Sequence, residues 1–199
     1  MSQLYSVSWL QEKQDNLENI KYLFFWGHTK QHNQEVGNFC FSQWFESDFI
    51  IDGITYKTTE HWMMAQKAKL FNDQEIYNKI INCKKPGEAK DLGRLVTNFN
   101  DEIWQKHRYD IVKIGNIHKF NQNKALGEYL IKTQSRVLVE ASPVDIIWGI
   151  GLTKDSDKAN NVYEWRGLNL LGFALMEVRD LLNEYGTGSE QLSKIKSDI

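Results

Sequence analysis

Apolar residues along the chain recur with two periods, and the change from one to the other marks the elements. Ser8 stands where an N-cap belongs and opens a polar helix to about Asn19; the apolar run Tyr22-Leu23-Phe24-Phe25-Trp26 then reads as a buried strand. A polar loop rich in Gln and His follows from Gly27 to Gly37. Phe49-Ile50-Ile51 and Ile54-Thr55-Tyr56 flank Asp52-Gly53, which predicts a hairpin because both turn positions need positive φ. Thr59 sits at an N-cap position, and Glu60 to about Phe71 reads as a helix. Asp73 opens another through Ile76, Tyr77, Ile80 and Ile81, and Pro86 begins a short one ending near Arg94. Asp101 caps a longer helix that carries Ile103, Trp104, His107, Ile111 and Ile114 at helical spacing, and Asn123 to Lys132 continues the pattern. Arg136 to Glu140 reads as a strand, and Leu168, Leu171, Leu175, Val178 and Leu182 mark one face of a last helix.

These elements predict an α+β fold: a single domain over residues 1–182, with several helices packed around a small, mainly antiparallel sheet. Residues 183–199 are polar and are expected to form a mobile tail. No internal repeat or interdomain linker interrupts the pattern.

Composition supports one domain: 199 residues, 41% hydrophobic and 13% aromatic, suffice for one core and are few for two. The formal net charge of -2 gives no bulk electrostatic reason for a nucleic-acid or membrane partner, although a balanced total can hide a local cationic groove. Lys84, Lys85, Lys90, Arg94, Lys106 and Arg108 are candidates for such a rim; a solvated helical face explains the same charges. The start lacks the basic and apolar regions of a secretory signal, and no apolar run approaches the roughly 18 to 20 residues that span a bilayer. With only two cysteines, Cys40 and Cys83, a cytoplasmic location is the simplest expectation.

Chemistry first shows in the helix from Glu60. Positions 60, 63, 64, 67 and 71 share a face, since seven residues at about 100° each return to within roughly 20° of the start. A carboxylate and an amine, Glu60 and Lys67, thus lie on a stripe with Met63, Met64 and Phe71, where burial would shift both pKa values toward neutrality. The plainer alternative is a first-turn acid favoured by the helix dipole and a lysine that snorkels to water. A second candidate is the stretch from Glu140 to Leu152, where a strand runs into an acid and Asp145 precedes Trp148-Gly149-Ile150-Gly151. Such a loop can offer backbone N–H groups to a phosphate or a ribose hydroxyl; it can equally be a tight turn that needs its glycines. Among seven tryptophans, Trp104 and Trp165 stand near polar or glycine-rich positions suited to stacking on a base. His28 and His32 have i,i+4 spacing but lack the helical context of a zinc site, so no metal is expected, and no cofactor fingerprint is present.

The motifs Phe24-Phe25-Trp26-Gly27-His28, Gly37-Asn38-Phe39 and Thr59-Glu60-His61-Trp62-Met63-Met64-Ala65-Gln66-Lys67 resemble the amino-terminal half of the NADAR (YbiA-like) family. Ala89 to Arg94, Trp104, Lys119 to Asn123, Leu138 to Ser142, Asp145 to Gly151, and Trp165 to Arg179 resemble the rest, in the family's order, from about residue 22 to 182. The resemblance implies N-glycosidase activity, on ribosylamino-pyrimidine phosphate intermediates of riboflavin synthesis or on ADP-ribose joined to guanine in nucleic acid. By motif, Glu60, Trp104 and Asp145 match family positions expected to serve catalysis or base binding, and Lys67 and Arg94 match family positions as well. Together with the patterns above, Glu60, Lys67 and Asp145 are the expected catalytic residues and Asn38, Arg94, Trp104, Trp148, Gly149 and Gly151 the expected substrate-binding ones. One departure is visible: where the family often has an apolar Met after the Trp, this chain has His107-Arg108-Tyr109-Asp110. A non-catalytic module that binds ADP-ribose or NAD is the alternative of a different class.

Overall fold

Two strands far apart in sequence meet at the centre of the computed structural model, which describes residues 3–30 and 33–196. β1 (Tyr22–Phe25) and β4 (Val137–Glu140) run parallel, with Tyr22 beside Val137 and Phe25 beside Glu140. The hairpin forms as expected: β2 (Phe49–Ile51) pairs antiparallel with β3 (Ile54–Tyr56), and the turn residues Asp52 and Gly53 adopt φ of 50° and 80°. The expectation of a mainly antiparallel sheet is therefore met only by the hairpin. A parallel partner needs a long crossover, and local alternation of side chains carries no signal of it.

Helices surround this pair. α1 (Val7–Asp15) is capped by Ser6, whose Oγ accepts from Trp9 N at 3.1 Å, so it starts and ends earlier than the pattern around Ser8 predicted. α2 (Thr59–Leu70) is capped by Thr58, because Thr59 Oγ1 is engaged elsewhere, donating to Gln43 O at 3.2 Å. Asp73 caps α3 (Gln74–Asn82) and Pro86 begins α4 (Pro86–Arg94), both as expected. Asn100, one residue before the predicted Asp101, caps α5 (Asp101–Gln122), and α6 (Lys124–Ile131) follows. α7 (Leu170–Tyr185) packs on β4 and α5. No helix among the described residues is long and apolar enough to cross a membrane.

The segment expected to be a mobile tail is docked as far as Lys196. Asn121 of α5 accepts from Ser189 N at 2.9 Å and donates to Ser189 O at 3.0 Å, and α8 (Glu190–Ser193) buries Leu192. Its composition is polar, but its polar groups have partners on α5, which composition does not reveal.

Two details hold the centre in place. Lys119, fully buried, donates to Cys40 O at 2.7 Å and Ser42 O at 3.0 Å, tying α5 to the segment that leads into Trp44. Asn169 acts as a substitute strand beside β4: its Oδ1 accepts from Glu140 N and its Nδ2 donates to Leu138 O, each at 2.9 Å. Asn169 does this with φ of 52°, a left-handed conformation that Asn tolerates better than most residues. Asn169→Ala should cost about 3 kcal/mol, by orphaning two buried backbone groups and straining the backbone. Denaturant titration with an unchanged slope checks this; a loss below about 1 kcal/mol would show that water replaces the amide.

Candidate active site

At the carboxyl ends of the parallel strands a cleft of about 570 Å³ opens. Its walls come from the segment after β1 (Trp26, Gly27, His28), from Ser42 to Trp44, from α2, from α4 and from the loop beyond β4. Ligands in parallel α/β arrangements gather at strand carboxyl ends, where side chains converge with nothing packed above them.

α2 sends four residues of its predicted stripe into the cleft: Glu60, Met63, Met64 and Lys67. Glu60 is 3% exposed, and burial pushes its carboxyl up to about 7, with the charge of Asp145 adding to the shift. Lys90, the Trp44 indole and Arg94 pull it back. Lys67 lies two turns further on; its Nζ donates to Gly93 O at 2.8 Å and sits 4.2 Å from the centre of the Phe99 ring. Burial lowers its pKa, which favours a neutral amine. A Cβ on Gly93 would collide with Met64, so this glycine permits the close approach of α4 that supplies the carbonyl. Phe71, the last residue of the stripe, packs instead against Phe99 with centroids 5.3 Å apart.

Asp145 arrives from the other side. Its Oδ1 accepts Ile147 N at 2.9 Å and Trp148 N at 2.7 Å, closing the turn that aims Trp148 into the cleft. Arg94 and Trp104 line the same space, Arg94 while paired with Asp91 at 2.8 Å. Glu60, Lys67 and Asp145 therefore line one cleft.

Three expected binding residues lie elsewhere. Asn38 donates to Phe24 O at 3.2 Å and accepts from Tyr129 OH at 2.7 Å, lining a neighbouring hollow beyond Trp26. Gly149 and Gly151 form the back of the loop: Gly149 O accepts from Asn169 N at 3.1 Å, and Gly151, with φ of 67°, donates to Asp145 O at 3.1 Å. Ile150 N likewise donates inward, to Glu140 O at 3.0 Å, so in this stretch the N–H groups of Ile150 and Gly151 serve the loop and not an anion. Trp165 is also outside the cleft, its Nε1 donating to Ala159 O at 2.8 Å. The departure from the family at residues 107–110 does not line the cleft, although the Arg108 guanidinium lies near enough to Asp145 to feel its charge, and Tyr109 bonds Glu177 at 2.7 Å. His32 lies outside the described residues.

The sequence pattern marks Glu140 as the acid at the head of a candidate loop and Lys90 as a candidate rim cation without giving either a role in the site, and it does not single out Trp26 or Trp44; all four line the cleft. Glu140 ends β4, with its side chain lining the cleft and its Oε2 buried without a hydrogen-bond partner among the described residues. Burial, then Asp145, then Glu60 push its carboxyl up to about 8, against the pull of Lys90. The available signal was its place at the end of a buried strand. Lys90 sits with Nζ 5.7 Å from the Trp44 ring centre; Trp26, 61% exposed, stands at the mouth. Four tryptophans (Trp26, Trp44, Trp104 and Trp148) thus surround three carboxyl groups, an arrangement suited to holding a flat base beside acid–base chemistry.

The family model for the NADAR domain matches residues 24–183. The chain belongs to the NADAR domain family. Among its relatives, an N-glycosidase of Acanthamoeba polyphaga mimivirus is 46% identical over 171 residues, covering 82% of this chain and 98% of that one. A riboflavin biosynthesis protein, PYRR, of Zea mays is 33% identical over 135 residues, 64% of this chain and 20% of the maize protein. The NMR structure of the E. coli protein YbiA shares the fold, with a TM-score of 0.61 at 23% identity over 90% of this chain and 94% of that one. With its NADAR relatives, the chain is an enzyme, a hydrolase acting on N-glycosyl compounds.

The raised carboxyl groups make one contribution to how stability depends on pH. Glu60 and Glu140 bind protons in the folded state at pH values where the unfolded chain, with ordinary glutamates near 4.5, has released them. Their contribution is fully favourable below about 4.5 and is lost as pH rises through about 7 and 8. Thermal melts from pH 5 to 8.5 should show a falling Tm that flattens in the Glu60→Gln, Glu140→Gln double variant; an identical slope in both proteins would refute the assignment.

Proposed function

We propose that this cleft hydrolyses the bond between the anomeric carbon of ribose and an exocyclic amine of a base. The observation that carries the reading is the pairing of Glu60 with Lys67 on one buried helix face opposite Asp145, within a space walled by tryptophans. Glycosylamines of this type can open at the ring oxygen to an imine, which a neutral amine attacks. Lys67 is the nucleophile: its lone pair forms a new bond to the anomeric carbon, and departure of the base leaves a Schiff base on Nζ. Desolvation lowers the pKa of Lys67 in the direction this step needs. Glu60 moves protons during the exchange and then activates the water that releases the sugar. Asp145, anchored through Oδ1, holds ribose hydroxyls or steadies positive charge at the anomeric carbon.

A ribosylamino-pyrimidine phosphate is the substrate best matched. A volume of about 570 Å³ suits a mononucleotide-sized ligand, Lys90 and Arg94 supply positive charge for a phosphate, and a relative of the segment lies within a riboflavin biosynthesis protein. One observation favours the second reading, ADP-ribose on guanine in nucleic acid. A groove of about 880 Å³ adjoins the cleft and shares His28 and Trp44 with it, offering room for the rest of a larger substrate.

Purified enzyme incubated separately with a ribosylaminopyrimidine phosphate and with an ADP-ribosylated guanine oligonucleotide should release base from the first. Repair of the oligonucleotide alone would establish the second reading. Borohydride added during turnover should leave a reduced adduct on Lys67, and Lys67→Ala should abolish both adduct and turnover. An active Lys67→Ala enzyme without adduct would instead support direct attack by water between Glu60 and Asp145. Glu60→Gln should lower kcat by about 10² to 10⁴-fold.

A further inference from the structure

Cleaving a glycosylamine asks for one group that gives a proton to the departing nitrogen and another that takes one from the attacking amine and water, and Glu60 cannot fill both roles at once. As the C1–N bond breaks, its electron pair goes to nitrogen, and an amine attached to a base leaves readily only after that nitrogen takes a proton. A group that holds a proton near neutral pH and faces the cleft must therefore supply it. The carboxyl groups differ in what each already accepts. Asp145 Oδ1 accepts two backbone N–H groups. Glu60 lies in the first turn of α2, near the positive end of the helix, with the Trp44 indole, Lys90 and Arg94 around it. Glu140 ends a strand, and its Oε2 is buried with no partner among the described residues.

We propose that Glu140 is the protonated acid of the cleft and donates its proton to the departing nitrogen. The assignment rests on the N-glycosidase reading above. An orphaned, buried oxygen is costly as a carboxylate and much less so as a hydroxyl that can donate into an incoming ligand. Three carboxyl groups around one space also disfavour full ionisation, and the shared proton settles where compensation is weakest. Asp145 on the adjoining loop and Glu60 from α2 push the proton onto Glu140, Lys90 from α4 opposes them, and His28, Lys67 and Arg94 are the remaining titratable groups of the cleft.

The step balances. The Glu140 proton passes to nitrogen, the C1–N bond breaks with its electrons on nitrogen, and the base leaves as a neutral amine. Lys67 has added beforehand to the ring-opened imine, whose ring oxygen has taken the amine proton; Nζ passes one of its own protons to the same nitrogen, and its lone pair closes the C1=Nζ Schiff base as the base departs. Water then adds to the Schiff base carbon and its proton returns through Glu60 to Glu140; the new hydroxyl passes its proton to Nζ as the C1–Nζ bond breaks, which frees Lys67 as an amine and leaves the oxygen on the sugar as its aldehyde. The net reaction consumes one water and regenerates every residue.

Two measurements test this. Infrared difference spectra, wild type minus Glu140→Gln, should show the carbonyl stretch of a protonated carboxylic acid at pH 7 that disappears as pH rises past about 8. Its absence at pH 7 overturns the proposal without reference to any substrate. In turnover on a ribosylaminopyrimidine phosphate, wild type should give a bell-shaped profile whose alkaline limb reports the acid, while the carboxyl groups titrate as a coupled set. Glu140→Gln should lose about 10² to 10⁴-fold in kcat with KM little changed, and its alkaline limb should vanish. Ribosylamines with electron-poor leaving amines, which need less proton assistance, should lose less. An active wild type with an unimpaired Glu140→Gln, or a variant that keeps the alkaline limb, overturns the assignment alone. A wild type that releases no base from either substrate class overturns the N-glycosidase reading and this assignment with it.

Discussion

Carboxyl groups buried without full neutralisation are the constraint on which the cleft depends. Taking an ionised carboxylate out of water costs several kcal/mol unless a partner compensates, and a protein can meet that cost by pairing the charge or by letting the group keep its proton. Both answers occur here. Glu177 is buried and paired, with Lys113 Nζ 3.1 Å away and the Tyr109 hydroxyl at 2.7 Å, and its work is to tie α5 to α7. Glu60 and Glu140 are left under-compensated in a space that a ligand can enter, and both are pushed toward neutral pH. The same physical cost yields a strut in one place and an acid–base site in another.

The lysines divide along the same line. Lys119 is fully buried and its ammonium is spent on two carbonyls, which fixes the approach of the segment carrying Trp44; burial still lowers it to about 8. Lys67 is only partly buried, makes one bond to the Gly93 carbonyl, and borders the open volume. A depressed amine is useful for chemistry only where a substrate can reach it, so position and not pKa separates these two.

Stability for the cleft comes from elements behind it. The parallel pair of β1 and β4 brings Glu140 to its rim, Asn169 replaces a missing strand neighbour, and Gly149 lets the loop close over the strand end, where a Cβ would lie 2.7 Å from Glu140 O. The glycine-rich stretch that looked like an anion cradle is thus scaffolding for Glu140 and Asp145. The pattern Trp-Gly-x-Gly reports a close backbone crossing, and Glu140 and Asp145, which it supports, line the cleft.

The sequence by itself determined the local elements and half of the site. Asp52-Gly53 needs left-handed φ, Asp73 and Pro86 open helices by their own chemistry, and a seven-residue spacing must return Lys67 to the face of Glu60 whatever surrounds the helix. Motif order likewise carried the family. Tertiary structure alone decided that β1 and β4 run parallel, that the polar tail docks on α5, that Asn38 points to another hollow, and that Glu140 and Lys90 face Glu60. Periodicity and capping act within a few residues along one chain segment. Which charges end up without water depends on contacts between segments distant in sequence, and no local pattern encodes that.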